Sequence, residues 1–400
     1  TVANLGAWIA SFGAAIPSAI YSGLLAGPYR TPAIAVNVTC AFTNTPPTDA
    51  YRGAGRPEAC FVLEQLADAA ARATGLDRIE IRRRNLIPRE AMPYATPIGP
   101  VYDSGDFPRM LTRVVDESGL VGTLDARRAQ AARRGRCYGV GFAMFVESSG
   151  VAPSRMAGAL GARTGLYESA EVRVDASGSI VAALGTHNHG QGHETTFAQI
   201  VASRLGVPIA RVRIVEGDTD AVAQGTGTFG SRSIAVGGSA LDRACAKIRA
   251  KATRVAAHLL EAAEADIEEA KGVYRVAGTD RTIGFAAIAH ACNMGHALPG
   301  AMEPGLHESA FYDPPAFAFS NGAHACAVEV DPDTGVVTIC DYWTVDDVGT
   351  VINPIIVHGQ VHGGLAQGLG QALMEAVRFD AAGQLLSGSF MDYALPRASD

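Results

Sequence analysis

Charge is scarce at the start of this chain: Arg30 is the one charged residue among the first 48. The 29 uncharged residues before it are long enough to span a bilayer. They are built from Gly, Ala and Ser, with Asn4, Pro17 and Gly27–Pro28 among them, and no basic segment precedes them. Turn residues at that frequency argue against a transmembrane segment and for a stretch buried at the centre of a large protein. An initiator Met is absent and Thr1 reads as mid-strand, so the expectation is a piece of a longer protein. Basic stripes are missing too. With 33 basic and 40 acidic residues the net charge is −7, which leaves no electrostatic footprint for nucleic acid. The seven cysteines are scattered, and no two form C-x-x-C. That excludes a disulfide framework, a zinc ribbon and an iron–sulfur ligand run, and reads as reduced thiols in a cytoplasmic protein. G-x-x-x-x-G-K-[ST] and G-x-S-x-G are absent, which removes the P-loop and the hydrolase elbow.

What is present is a globular composition: 48% apolar and 18% charged residues over 400 positions, enough for two or three domains. The 45 glycines and 20 prolines follow no fixed period and imply many turns. Pro57 and Gly75 bracket a helix over about 57–74, and a shorter helix follows near Asp77–Asn85. Pro88, Pro93, Pro97, Pro100 and Pro108 mark a connector, extended by a helix near 107–118 and the basic run Arg127–Arg136. The boundaries are therefore 1–88, a connector at 89–136, and 137–400. Glu171–Ile180 and Ala327–Val336 share one pattern, an alternating strand, an Asp/Gly turn and a second strand. Each is followed by a glycine-rich stretch and a helix, which reads as an α+β domain of pseudo-twofold construction. A long helix, with a core stripe from Leu241 to Leu259, is predicted over about 231–262.

The informative pattern is a glycine loop placed before a helix, four times over. The loops are Tyr51–Pro57, His189–Thr196, Gly225–Ser233, and the approach Val345–Pro354 to the glycine-rich run His358–Gly370. Helix N-termini present unpaired N–H groups and a positive dipole end, and glycine lets a ligand touch the backbone. Gln191, Thr226, Thr228, Ser231, Ser233, Gln360 and Gln367 add neutral donors and acceptors suited to a polar heterocycle. Gly53-Ala-Gly55 lacks the third glycine of a dinucleotide fingerprint. His187, His189 and His193 with Glu194 could ligate zinc or iron, but Thr195–Leu205 reads as helix, where such a site fits poorly. The expectation is that His193 and Glu194 open that helix and hold the loop. Glycines 359, 363, 364, 368 and 370 in the last helix imply a backbone packed against something large.

Ala50-Tyr-Arg-Gly-Ala-Gly-Arg-Pro-Glu-Ala59, Gly190–Gln199, Gly227–Ser233 and Gly359–Gly368 occur together and in order. On these motifs the chain resembles the molybdopterin-binding large subunit of the xanthine dehydrogenase family, especially that of aerobic carbon monoxide dehydrogenase and its relatives. The resemblance implies an α+β fold of two lobes of mixed sheets with helices, truncated here at both ends. It implies molybdopterin cytosine dinucleotide, with molybdenum held by the pterin and no metal ligand from the protein. It places pterin and pyrophosphate contacts at Gly190, Gln191, Gly192 and His193, and the dinucleotide end at Thr226, Gly227, Thr228, Phe229, Gly230, Ser231 and Ser233. Gln360 and Gln367 would line the pterin pocket, and Arg52 and Gly53 would lie on the substrate side.

The implied reaction is hydroxylation of a small molecule with oxygen from water, the electrons leaving through an Fe–S small subunit and an FAD medium subunit in a dimer of heterotrimers. The family's oxo-site loop would lie before Thr1 and its glutamate base after Asp400, so Glu147, Glu194 and Glu375 are assigned no such role. Carbon monoxide dehydrogenases carry a copper-binding Cys where this chain has Gly53, and His189 replaces a Gln. The loss of that Cys favours an organic substrate such as an N-heterocycle or aldehyde. A carbon monoxide dehydrogenase subunit, a non-catalytic cofactor carrier and an unrelated three-histidine metal enzyme stand as alternatives.

Overall fold

The computed structural model describes residues 1–159 and 161–398. The chain divides into two compact units and passes between them more than once. Unit 1 holds residues 1–148, 319–350 and 361 onward; unit 2 holds 149–318 and 351–360.

In unit 1, β1 (Val2–Asn4) pairs in parallel with β2 (Thr39–Ala41), and a single turn, α1 (Tyr21–Gly23), lies between them. The uncharged N-terminal stretch is only partly buried within the chain. Leu5, Ile16, Tyr21 and Leu24 point inward, whereas Trp8, Ile9 and Phe12 are exposed, because short, turn-interrupted elements have no continuous apolar face to hide. Next comes α2 (Arg56–Thr74), bracketed by left-handed Gly55 and Gly75 as the Pro/Gly punctuation predicts. The Asp77 carboxylate accepts from the Ile79 and Glu80 amides and starts α3 (Arg78–Asn85). The proline-marked segment is not wholly irregular: β3 (Tyr94–Ala95) and β4 (Val101–Tyr102) form a small antiparallel pair that buries Tyr102. Asp106 caps α4 (Phe107–Ser118), and left-handed Gly119 separates it from α5 (Leu120–Ala132).

The sheet of this unit has β13 (Asn321–Val330) at its centre, antiparallel to β5 (Cys137–Val146) and β14 (Val337–Asp347). Tyr138, Val140, Phe142, Met144 and Val146 alternate inward along β5, the period-two pattern of a half-buried strand.

Unit 2 begins with the short α6 (Ser154–Ala159) and is built on a four-stranded sheet. Its spatial order is β12 (Leu306–Tyr312), β6 (Glu168–Val174), β7 (Ile180–Leu184), β8 (Val212–Val215), and only β7 and β8 run parallel. That parallel pair needs a crossover, which α7 (His193–Leu205) supplies. The predicted long helix is a π-helical turn at Ser233–Gly238 followed by α8 (Ser239–Leu259). Leu241, Ala244, Ile248, Ala252 and Val255 of α8 are fully buried and share a core with Val172, Ile180, Leu184, Phe197 and Val201. A three-stranded meander, β9 (Ile267–Ala270), β10 (Val273–Val276) and β11 (Thr282–Gly284), and α9 (Phe285–Met294) complete this unit. The two hairpins of like sequence, β6–β7 and β13–β14, belong to different sheets. The last helix, α10 (Pro354–Leu373), has its first residues in unit 2 and the remainder in unit 1. Among the described residues no helix is long and apolar enough to cross a membrane.

Candidate functional site

Two of the four glycine loops meet in unit 2. The first leaves β7 and turns at Asn188, whose side-chain oxygen accepts from the Gly190 and Gln191 amides at 2.9 and 3.0 Å. The Gln191 side chain folds back on the same loop: its oxygen accepts from the His189 amide, and its nitrogen lies 3.3 Å from the His189 ring. Gly190 (φ +101°) faces open space where a side chain would stand. Left-handed Gly192 then leads into α7 with no side-chain cap, which leaves the helix N-terminus to an outside acceptor.

Beneath this loop, His193 is buried and its Nδ1 lies 3.1 Å from Glu216, which also accepts from the Thr186 hydroxyl. Glu194, on the outer side of the first turn, takes a hydrogen bond from Asn188 that holds its carboxyl below the ordinary range. The His187 and His189 rings lie 4.6 Å apart, but His193 is committed to Glu216, so the three imidazoles do not converge. Among the described residues no group of three or more His, Cys, Asp or Glu could hold a metal ion.

The second loop, Gly225–Ser233, is tied to the first. The His187 amide donates to the Thr228 hydroxyl at 3.0 Å, and that hydroxyl lies 2.8 Å from Ser233 Oγ. The Gly227 amide donates to the Gly185 carbonyl at 3.2 Å. A fully buried ion pair, Arg232 with Glu168, anchors the loop from within. Glu168 Oε1 also accepts from the Thr226 amide and hydroxyl at 3.0 and 2.8 Å. Arg232 donates further to the carbonyls of Gly227, Leu166 and Val151, and lies 5.1 Å over the Phe229 ring. Gly227 (φ +90°) again faces open space, Gly230 approaches Val151, and Ser231 is exposed in the left-handed region at φ +56°. The π-turn beginning at Ser233 has no side-chain cap.

The fourth junction differs. Asn353 Oδ1 accepts from the Ile355 and Ile356 amides at 3.0 and 3.2 Å, so the start of α10 is capped by the protein itself. Asn353 also donates to Gln199 of α7, and Ile356 packs on Gly192, which fixes the start of α10 against the first loop. Gln360 and Gln367 are two turns apart on one side of this helix, Gln360 in unit 2 and Gln367 in unit 1.

In unit 1 the loop Tyr51–Gly55 turns through three consecutive positive φ values, Gly53 (+96°), Ala54 (+46°) and Gly55 (+87°). An alanine there costs about 1–2 kcal/mol, so the conformation has to be held. Arg56, buried, holds it: Nη1 donates to the Gly53 carbonyl at 3.1 Å, and Nη2 to the Ser148 carbonyl at 2.8 Å. Its Nε lies 3.0 Å from both Ser148 Oγ and Glu147 Oε1. Burial pushes the Glu147 carboxyl up to about 7, against the pull of Arg56. Arg52 reaches α10 at Gly363 and Gly364, where a Cβ would stand 3.5 and 3.7 Å from its guanidinium nitrogens. Two of the five helix glycines thus face an arginine at ordinary contact distance, and Gly370 packs on Pro396. A cysteine at position 53 is disfavoured by the backbone: its φ is left-handed and its Cβ would meet Pro57.

Sequence reasoning passed over Glu168, Arg232, Glu216, Glu147 and Arg56 as site-building groups. Arg232 stood inside the motif Gly227–Ser233, and Glu168 stood at the head of a strand that alternates inward; those were the available signals.

This chain belongs to the molybdopterin cofactor-binding domain family, with the domains of the xanthine dehydrogenase type: one domain model matches residues 1–86 and a second 116–400. Among its relatives, the carbon monoxide dehydrogenase large chain of Hydrogenophaga pseudoflava is 40% identical over 408 residues, covering 99% of this chain and 50% of that protein. The nicotine 6-hydroxylase large subunit of Paenarthrobacter nicotinovorans is 37% identical, covering 92% of this chain and 45% of that subunit. The solved quinoline 2-oxidoreductase from Pseudomonas putida 86 superposes with a TM-score of 0.92 at 34% identity, covering 99% of this chain and 50% of that one. A solved Cu,Mo-CO dehydrogenase gives 0.91 at 36% identity, covering 100% and 51%. The chain spans about half the length of the curated relatives it matches.

Proposed function

We propose that this chain is the cofactor-binding part of a molybdenum hydroxylase large subunit that takes molybdopterin cytosine dinucleotide. The observation that carries this reading is the pair of joined loops in unit 2: uncapped helical N-termini at His193 and Ser233, with Gly190 and Gly227 open to an approaching ligand. Such ends bind the negative charge of a pyrophosphate. The residues fit the group: the uncapped first turn of α7 leaves its amides for an anionic oxygen, and the metal would come with the pterin. Gly190–His193 would bind pterin and pyrophosphate, Thr226–Ser233 the nucleotide end, and Gln360 and Gln367 the pterin edge. When bound, the cofactor supplies two-electron oxidation with transfer of water-derived oxygen to carbon.

The chain's own work is to orient and enclose. The Asn188 and Glu168 networks take up the Gly190, Gln191 and Thr226 amides and so fix the shape of both loops before a ligand arrives. Arg52, set against the α10 glycines, offers a cation on the substrate side. Gly53 and Gly55 leave those two positions of the loop without side chains, which supports an N-heterocycle or aldehyde over carbon monoxide as substrate. A carbon monoxide dehydrogenase reading is favoured by the relatives named above, and Gly53 with its left-handed backbone speaks against a copper thiolate there. Electrons would leave to Fe–S and FAD subunits in a dimer of heterotrimers, and the location would be cytoplasmic. The domain reading becomes 1–88 for the first cofactor-binding domain and 137–400 for the second, joined by 89–136.

Molybdenum measured on the native complex, with CMP released on acid hydrolysis, tests the assignment. Molybdenum without CMP would remove the cytosine dinucleotide, and zinc or iron alone would remove the whole reading. Gln191→Ala should lower molybdenum occupancy by about fivefold, because the loop loses its internal hydrogen bond of about 1 kcal/mol. Full occupancy in that variant would count against the loop.

A further inference from the structure

Outside the cofactor loops, Tyr51–Gly55 combines three consecutive positive φ values with a buried ion-pair anchor. We propose that Glu147, acting through Arg56, is the positioning residue for the Tyr51–Gly55 loop: the ion pair fixes the guanidinium that holds the Gly53 carbonyl, and so sets where Arg52 stands beside α10. The functional side of this inference rests on the reading of that loop as substrate-facing; the structural side does not.

The geometry is a short relay. Glu147 Oε1 lies 3.0 Å from Arg56 Nε, and Arg56 Nη1 lies 3.1 Å from the Gly53 carbonyl oxygen. Arg56 is 8% exposed, so its orientation is decided by its partners and not by water. Those partners are Glu147, both oxygens of Ser148, and the loop carbonyls of Gly53 and Ala54. Glu147 is the one charge among them. Its own backbone amide is fixed to the Ser320 carbonyl at 2.8 Å, so the carboxylate stands on a strand end that cannot drift. Three successive left-handed residues would relax if the arginine swung away.

The charged group acting on Glu147 is Arg56, from α2. On the neighbouring strands His324 is engaged with Tyr342 and Asp346, and Ser148 and Ser320 are neutral. Because burial lifts the carboxyl to about 7, the pair switches from neutral acid to full ion pair across neutrality. The sign follows from linkage: a carboxyl raised in the folded state favours folding while protonated, and that contribution is lost as pH rises through about 7. Ionised Glu147 therefore orders the loop and at the same time lowers the stability of the fold. A glutamate whose ion pair held its carboxyl below the ordinary range would do the opposite.

The test is hydrogen exchange of the loop peptide around residues 50–56, with melting temperature, in the purified native complex and its Glu147→Gln variant. In the wild type, exchange corrected for intrinsic rates should slow as pH rises through about 7. In Glu147→Gln it should be about tenfold faster at pH values above that point and show no inflection, the factor expected for loss of a charge-assisted hydrogen bond. The variant's melting temperature should equal or exceed the wild type's at high pH and converge with it at low pH. Loop exchange unchanged by the substitution, or a variant that melts lower at every pH, overturns the proposal. Should the variant not fold, the wild-type profile decides: no inflection near neutrality overturns it as well. Molybdenum content, read in the same samples, reports separately on the cofactor assignment, so the two can fail independently.

Discussion

Replacing Arg232 with methionine should destabilise the protein by about 3–5 kcal/mol, the cost of leaving a buried carboxylate without its partner. The residue has 0% exposed surface and donates to Glu168 and to three backbone carbonyls, at Val151, Leu166 and Gly227. Methionine fills similar volume, so the loss is electrostatic and not one of packing. Urea unfolding of the complex against its Arg232→Met variant measures it. The paired replacement Arg232→Met with Glu168→Leu should recover much of the stability, because removing both charges of a buried pair is often close to neutral. It should not recover molybdenum, since Glu168→Leu takes from Thr226 the carboxylate oxygen that fixes its amide and hydroxyl. A double variant no more stable than the single one would show that Glu168 is not the group Arg232 compensates.

Gly185→Val should empty the proposed cofactor site with a smaller loss of stability. A Cβ at Gly185 would meet the Glu168 carboxylate, the Gln224 carbonyl and the Gly225 Cα, and one at Gly225 would stand 2.6 Å from Gly185 Cα. The two backbones touch because neither carries a side chain. Adding one forces the Gly225–Ser233 loop away from β7, at about 1–3 kcal/mol for an overpacked contact. The His187-to-Thr228 bond that joins the two loops would go with it. Molybdenum per chain should fall at least as far as in Gln191→Ala. Undiminished molybdenum would separate loop position from cofactor binding.

The local grammar was legible in the sequence because it is carried by neighbours. Pro57 and Gly75 bound α2, Asp/Gly turns made both hairpins, and His193 opens α7. The buried pairs were not legible. Glu168 and Arg232 are 64 residues apart, and His193 and Glu216 are 23 apart, so no period or spacing links them. The long helix reads as starting about two turns before α8 because glycines 237 and 238 sit in a π-turn that keeps helical periodicity while changing its pitch. The uncharged N-terminal stretch is half-exposed within this chain because its short elements do not line its apolar residues up on one face.

The bend at Asn188 has an energetic consequence. Its single side-chain oxygen already gathers the Gly190 and Gln191 amides, so this segment has surrendered its conformational freedom during folding. On the function proposed above, a ligand arriving there meets a preorganised mould and forfeits little entropy to shape it. Selectivity at that wall then comes from fit rather than from accommodation.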